Sequence, residues 1–183
     1  CKMTSRFSKG GILINRKKKL SFKFNGKNLF GFSGDTLASA LLANNQVLIG
    51  RSFKYHRPRG FVSSGVEEPN ALLSIGSGGS FEPNRSATTL ELFDGIEAIS
   101  QNHFGSLDWD IGSINNLISK IFPAGFYYKT FIKPRFAWKH IFEPTIRSAA
   151  GLGRAPKKQD FSSYDYFYAH FDVVIVGGGI TGL

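Results

Sequence analysis

The sequence predicts an α+β fold. A small mixed sheet crossed by one helix, a β-grasp arrangement, is followed by an aromatic-rich connecting region and then by the first strand and glycine turn of a Rossmann-type α/β domain. Three observations carry this expectation. Apolar residues alternate on either side of Asn25-Gly26, the pattern of a hairpin. A cappable run of helix formers, Thr36 to Ala43, comes next. The last residues join a β-branched run to a glycine-rich turn.

Element by element, residues 1–19 read as a loose basic arm ending in Arg16-Lys17-Lys18-Lys19. Leu20-Ser21-Phe22-Lys23-Phe24 alternates with the period of a half-buried strand, and Lys27 to Phe32 returns after the turn. Asp35 and Thr36 offer side-chain oxygens to the helix start, and Asn44-Asn45 suits its end. Val47-Leu48-Ile49-Gly50 is expected as a short strand, with Ala71–Ile75 and Thr88–Phe93 as later ones before the Asp94-Gly95 turn. Residues 20–95 thus make the β-grasp domain and 96–170 a connecting region, with short helices near 113–121 and 136–150 and a linker over 151–160. Most of the rings in that region are expected to be packing residues.

Residues 171–183 are expected to begin a dinucleotide-binding domain. Phe171-Asp172-Val173-Val174-Ile175-Val176 reads as a buried parallel strand, and Gly177, Gly179 and Gly182 fit G-x-G-x-x-G directly behind it. In that turn the first glycine permits the bend, the second admits the pyrophosphate and the third lets the helix pack closely. The helix itself, and an acidic residue about 20 positions on for ribose, lie outside the sequence. The domain is therefore expected to be truncated, and the fragment alone inactive.

Composition narrows the classes. The 183 residues suffice for one domain and part of another. With 42% hydrophobic residues, the chain is no disordered tail, and no apolar run approaches a membrane span. Cys1 is the only cysteine, which excludes a disulfide framework, a multi-cysteine zinc site and a cluster held by this chain. The chain starts with cysteine and shows no secretory signal, so a missing start and a cytoplasmic location are expected.

The net charge of +10 is uneven: residues 1–60 hold thirteen Lys and Arg against Asp35 alone. The densest stretch, Arg51-Ser52-Phe53-Lys54-Tyr55-His56-Arg57-Pro58-Arg59-Gly60, marks Arg51, Lys54, Arg57 and Arg59 as candidates to grip an anionic cofactor or an acidic partner. A solvated basic loop explains the same residues. His56 reads as structural, since no acid–nucleophile pair accompanies it in this segment.

Gly34-Asp35-Thr36-Leu37-Ala38-Ser39-Ala40-Leu41-Leu42-Ala43, the stretch Gly50 to Gly60, and Glu67-Glu68-Pro69-Asn70-Ala71-Leu72 resemble the alpha subunits of heterotetrameric sarcosine oxidases. Pro123 to Phe131 and Ala149-Ala150-Gly151-Leu152-Gly153-Arg154 extend the resemblance. It implies a ferredoxin-like β-grasp domain leading into a dinucleotide-binding domain that carries NAD, with the glycines as its pyrophosphate turn. It also implies beta, gamma and delta subunits, FAD and FMN in the assembled complex, tetrahydrofolate as co-substrate and a small secondary amine as substrate. No catalytic or metal-binding residue is assigned to this stretch. Related subunits carry a [2Fe–2S] cluster in the loop after the basic stretch. Here that loop, Phe61 to Glu68, has no cysteine, so no iron–sulfur cluster is expected.

Two alternatives stay open. One is a subunit of a related flavin-dependent amine or opine dehydrogenase. The other is a non-enzymatic basic β-grasp adaptor, which would use the skewed charge for nucleic acid or an anchored complex but leave the glycine turn unexplained. The leading reading expects neither nucleic acid nor membrane as a partner.

Overall fold

The computed structural model describes residues 5–117 and 133–177. Seven strands and three short α-helices are described, besides two 3-10 turns and a π-helical turn at Trp138–Phe142: β1 Asn15–Phe24, β2 Lys27–Ser33, α1 Leu37–Ala43, β3 Gly50–Arg51, β4 Pro58–Arg59, β5 Leu72–Ile75, β6 Glu82–Ser86, β7 Ile96–Ser100, α2 Ile114–Leu117 and α3 Glu143–Ala149. Five strands form one sheet in the order β2-β1-β7-β5-β6, and β3 pairs with β4 separately.

The hairpin forms as its turn chemistry requires. Asn25 and Gly26 both take positive φ, 48° and 77°, and β1 and β2 pair antiparallel from Phe24↔Lys27 outward. Alternation then buries Leu20, Phe22 and Phe24 on one face, with Leu29 opposite. β7 joins β1 in parallel, Phe22 beside Ile96, which places the first and last strands at the centre of the sheet. This mixed sheet under a helix is the β-grasp order.

Helix α1 lies on the apolar face. Leu37, Ala38, Ala40 and Leu41 are buried against Phe22, Ile49, Leu73 and Ile96 in one continuous core. Thr36 caps the helix, its hydroxyl accepting the Ser39 N–H at 3.2 Å, and Asn45 leaves it with φ 61°.

Several expected elements differ. Thr88–Phe93 is a loop with one isolated bridge, Glu91 to Thr36, because its backbone serves the start of the helix: Leu37 N–H donates to Leu90 O and Leu92 N–H to Asp35 O, both at 2.8 Å. Ala71–Ile75 does pair, as β5. The three strands not foreseen are β4 inside the basic stretch, β6, a polar edge strand containing Pro83, and β7, which follows Asp94-Gly95 so that the sheet continues past residue 95. Val47–Ile49 forms no strand, and pairing is confined to Gly50–Arg51.

The arm is less loose than expected. Residues 15–19 extend β1, with a bulge before Lys19, and Arg6 is fixed by the buried Asp35 through contacts of 2.7 and 3.0 Å. Glycines of the expected linker dock on the sheet: Gln101 Nε2–H donates to Gly151 O and Gly153 N–H to Asn84 Oδ1. Residues 171–177 carry no strand, and Val173–Val176 are exposed. A parallel strand is defined by flanking neighbours, and none pairs with this segment among the described residues. The second half of the 113–121 helix lies outside the described residues. None of the described helices is long and apolar enough to cross a membrane.

Candidate functional site

The basic stretch 50–59 is a tight hairpin. Ile49 N–H reaches Arg59 O at 3.0 Å, Ser52 N–H reaches Arg57 O at 2.9 Å, and His56 N–H closes on Ser52 O at 3.0 Å. The return forces His56 to φ 51°, a left-handed conformation that histidine tolerates better than β-branched residues do.

This hairpin is bolted to residues 104–117. The His56 ring is 2% exposed, stacks on Phe104 with centroids 5.1 Å apart, and places Nδ1 2.6 Å from Asp110 Oδ2. The other oxygen of Asp110 accepts the amides of Phe104 and Gly112, both at 2.9 Å. Burial pushes the Asp110 carboxyl up, but the Phe104 amide, His56 and the Gly112 amide together hold it below the usual aspartate range. The pair is a structural clasp with no nucleophile in contact.

The four candidate cations have different surroundings. Arg51 points inward: Nε and Nη2 donate to Leu107 O at 3.0 and 2.7 Å, Nη2 to Asp108 O at 3.1 Å, and Nη1 to His56 O at 3.2 Å. Four of the guanidinium's five N–H groups are thereby committed to backbone carbonyls. Arg57 donates to Asn116 Oδ1 at 2.8 Å and lies 4.8 Å from the centre of the Tyr55 ring. Lys54 approaches the same ring at 5.0 Å. The Arg59 side chain is exposed and makes no hydrogen bond or ion pair among the described residues.

Arg59 lines a cavity of about 430 Å³ together with Val62, Asn70, Asn102, Gly151 and Leu152. Asn102 donates its amide to Arg51 O, while its Oδ1 is buried without a partner among the described residues. The cavity wall therefore carries an accessible cation, and one of its lining residues holds a buried, unmet acceptor. Sequence reasoning missed Asn102 and Asp110, because each acts on a hairpin about fifty residues away, as the separations of 51 and 54 record. Of the glycine turn, Gly177 is described, exposed and at φ 102°, whereas Gly179 and Gly182 lie outside the described residues.

The class defined by the sheet and its hairpin is ferredoxin-like: residues 17–103 match the model of a 2Fe-2S iron-sulfur cluster binding domain. Over nearly its whole length, the chain is homologous to a fragment of the sarcosine oxidase alpha subunit. It is 53% identical over 171 residues to sarcosine oxidase subunit alpha of Rhizobium meliloti (strain 1021), covering 93% of this chain and 17% of that protein. Subunits of the same name from Corynebacterium sp. strains U-96 and P-1 are 32% and 31% identical over 94% and 93% of the chain, and 13% of each is covered. The chain thus spans less than a fifth of the length of these relatives. Among solved structures, the L-proline dehydrogenase from P. horikoshii matches half of this chain and 17% of its own, at 25% identity and a TM-score of 0.40.

The residues present do not fit an iron–sulfur cluster. Such clusters are held by cysteine thiolates, with histidine as the occasional replacement, and residues 17–103 contain no cysteine. No group of three or more His, Cys, Asp or Glu among the described residues is arranged to hold a metal ion.

Proposed function

We propose that this chain is part of the alpha subunit of a flavin-dependent complex that oxidatively demethylates sarcosine. The products are glycine and hydrogen peroxide, with the one-carbon unit passed to tetrahydrofolate. The observation that carries this reading is the 53% identity to one such subunit across 93% of the chain. The complex would comprise alpha, beta, gamma and delta subunits and work in the cytoplasm. FAD and FMN would supply the redox chemistry in the assembled enzyme.

Within that reading this stretch has a binding and scaffolding role. Residues 15–100 would hold the cluster-less β-grasp sheet, the stretch to 170 would connect, and 171–183 would begin the dinucleotide domain. Gly177, Gly179 and Gly182 would receive the pyrophosphate of NAD, where bare backbone and a helix start suit phosphate. Arg59, with Arg57 and Lys54 beside it, would meet an anionic cofactor group or an acidic partner surface. Arg51 would serve by fixing the hairpin from within.

The test is the assembled enzyme containing this alpha subunit. Sarcosine should yield peroxide with oxygen as acceptor. Turnover only with artificial electron acceptors would favour an amine or opine dehydrogenase. No turnover, together with nucleic-acid binding that falls steeply with salt, would favour the adaptor reading. Changing Arg57 and Arg59 together to Ala should lower flavin content or subunit association, and unchanged assembly would leave them as a solvated loop.

A further inference from the structure

Residues 61–70 follow the basic hairpin within the stretch that matches the 2Fe-2S cluster binding domain model, and here the loop winds around a carboxylate. Glu68 is 5% exposed. Its Oε2 accepts the N–H groups of Val62 and Ser63 at 2.7 and 2.6 Å, and its Oε1 accepts that of Asn70 at 2.8 Å. Three amides converging on one anion make a backbone nest, the kind of concavity that also receives phosphate and iron–sulfur groups.

The loop is pinned elsewhere as well. Asn70 Nδ2–H donates to Gly60 O at 3.1 Å, and the buried Thr88 hydroxyl donates to Gly65 O at 2.7 Å. Burial works to raise the Glu68 carboxyl, but the amides of Ser63, Asn70 and Val62 outweigh it and hold the group below the usual glutamate range. The charged neighbour acting on it, Glu67, pushes the other way. An unpartnered carboxylate at this depth would be costly, so its amides and the loop's shape stand or fall together.

We infer that Glu68 is a built-in anion standing in for the cluster, the group on which loop 61–70 folds and which locks this domain in a metal-free form. A thiolate-held cluster is itself an anion that needs amide donors, and the carboxylate already holds three of them. The consequence reaches the cavity, because Val62 and Asn70, whose amides grip Glu68, also form its wall next to Arg59. The comparison with cluster-bearing domains rests on the family match, while the role of Glu68 rests on geometry.

Amide NMR and hydrogen exchange on this chain test the idea, with readouts that do not depend on amine oxidation, so failure of the oxidase reading leaves them intact. In the wild type, the amide protons of Val62, Ser63 and Asn70 should shift together as pH falls through the lowered Glu68 pKa. Glu68→Ala should speed exchange at those three amides by about tenfold or more while β1 and β7 stay protected, and Glu68→Gln should fall between. Unchanged exchange in Glu68→Ala, or three amides that titrate separately in the wild type, would overturn the inference. The wild-type titration decides the matter even if the alanine variant does not fold. Anaerobic treatment with iron and sulfide should give no visible charge-transfer bands from residues 17–103, and a stable cluster there would equally sink the proposal.

Discussion

At the scale of single residues, buried charge in this domain is paired across long stretches of chain. Asp35, 1% exposed, gathers the Arg6 guanidinium, the Phe32 amide and the Ser39 hydroxyl. Asp110 does the same for His56, Phe104 and Gly112. Removing one member of such a pair strands the other, at a typical cost of about 3–5 kcal/mol. Asp110→Asn removes the carboxylate that accepts from His56 and should lower stability near neutral pH by about 1–3 kcal/mol, read from urea unfolding. Its pH dependence has a definite sign. The folded pKa of Asp110 lies below the ordinary aspartate value, so its contribution is complete above that value and disappears as pH falls through the lowered one. The wild-type and Asp110→Asn unfolding curves should approach each other in acid. Gly112→Ala attacks the same clasp sterically, because an added Cβ would sit 2.5 Å from His56 Nδ1, and a loss of about 1–3 kcal/mol is expected.

At the scale of elements, local signals act where the sequence places them side by side. The Asn25-Gly26 turn and the Thr36 cap each stand next to the groups they serve, so both were legible. Gly26→Ala should cost about 1–2 kcal/mol, since alanine at φ 77° is strained. Thr36→Ala should cost about 1 kcal/mol through the lost cap. Thermal unfolding of the two variants checks both. Thr88–Phe93 was misread because Asp35 and Leu37 recruit this stretch from across the fold. β6 was missed because an edge strand tolerates Pro83 and polar side chains that hide any alternation. The inward turn of Arg51 depends on carbonyls 56 and 57 residues away and had no local trace. The glycine turn was visible as a motif, but Gly179 and Gly182 lie outside the described residues.

At the scale of the whole molecule, a well-packed sheet contrasts with an unpaired tail. Phe161, Tyr166, Phe167, Tyr168 and Val173–Val176 are exposed, whereas the sheet's core is sealed. Limited chymotrypsin treatment of this chain should cut first within 161–171 and leave the sheet intact. If 171–176 is a buried strand in the full subunit, the same bonds should resist cleavage there. Early cuts at Phe22 or Phe24 instead would contradict the packing. The far-reaching charge pairs also bear on where the domain can be excised. The family match ends at residues 17 and 103, yet Arg6, the partner of Asp35, lies before it. Asp110, the partner of His56, and the carbonyls of Leu107 and Asp108 that receive Arg51 lie after it. A piece trimmed to the matched limits would carry a buried carboxylate and a buried imidazole with no counterpart, and an arginine with most of its acceptors gone. The smallest expressible unit of this domain is therefore wider on both sides than its family signature.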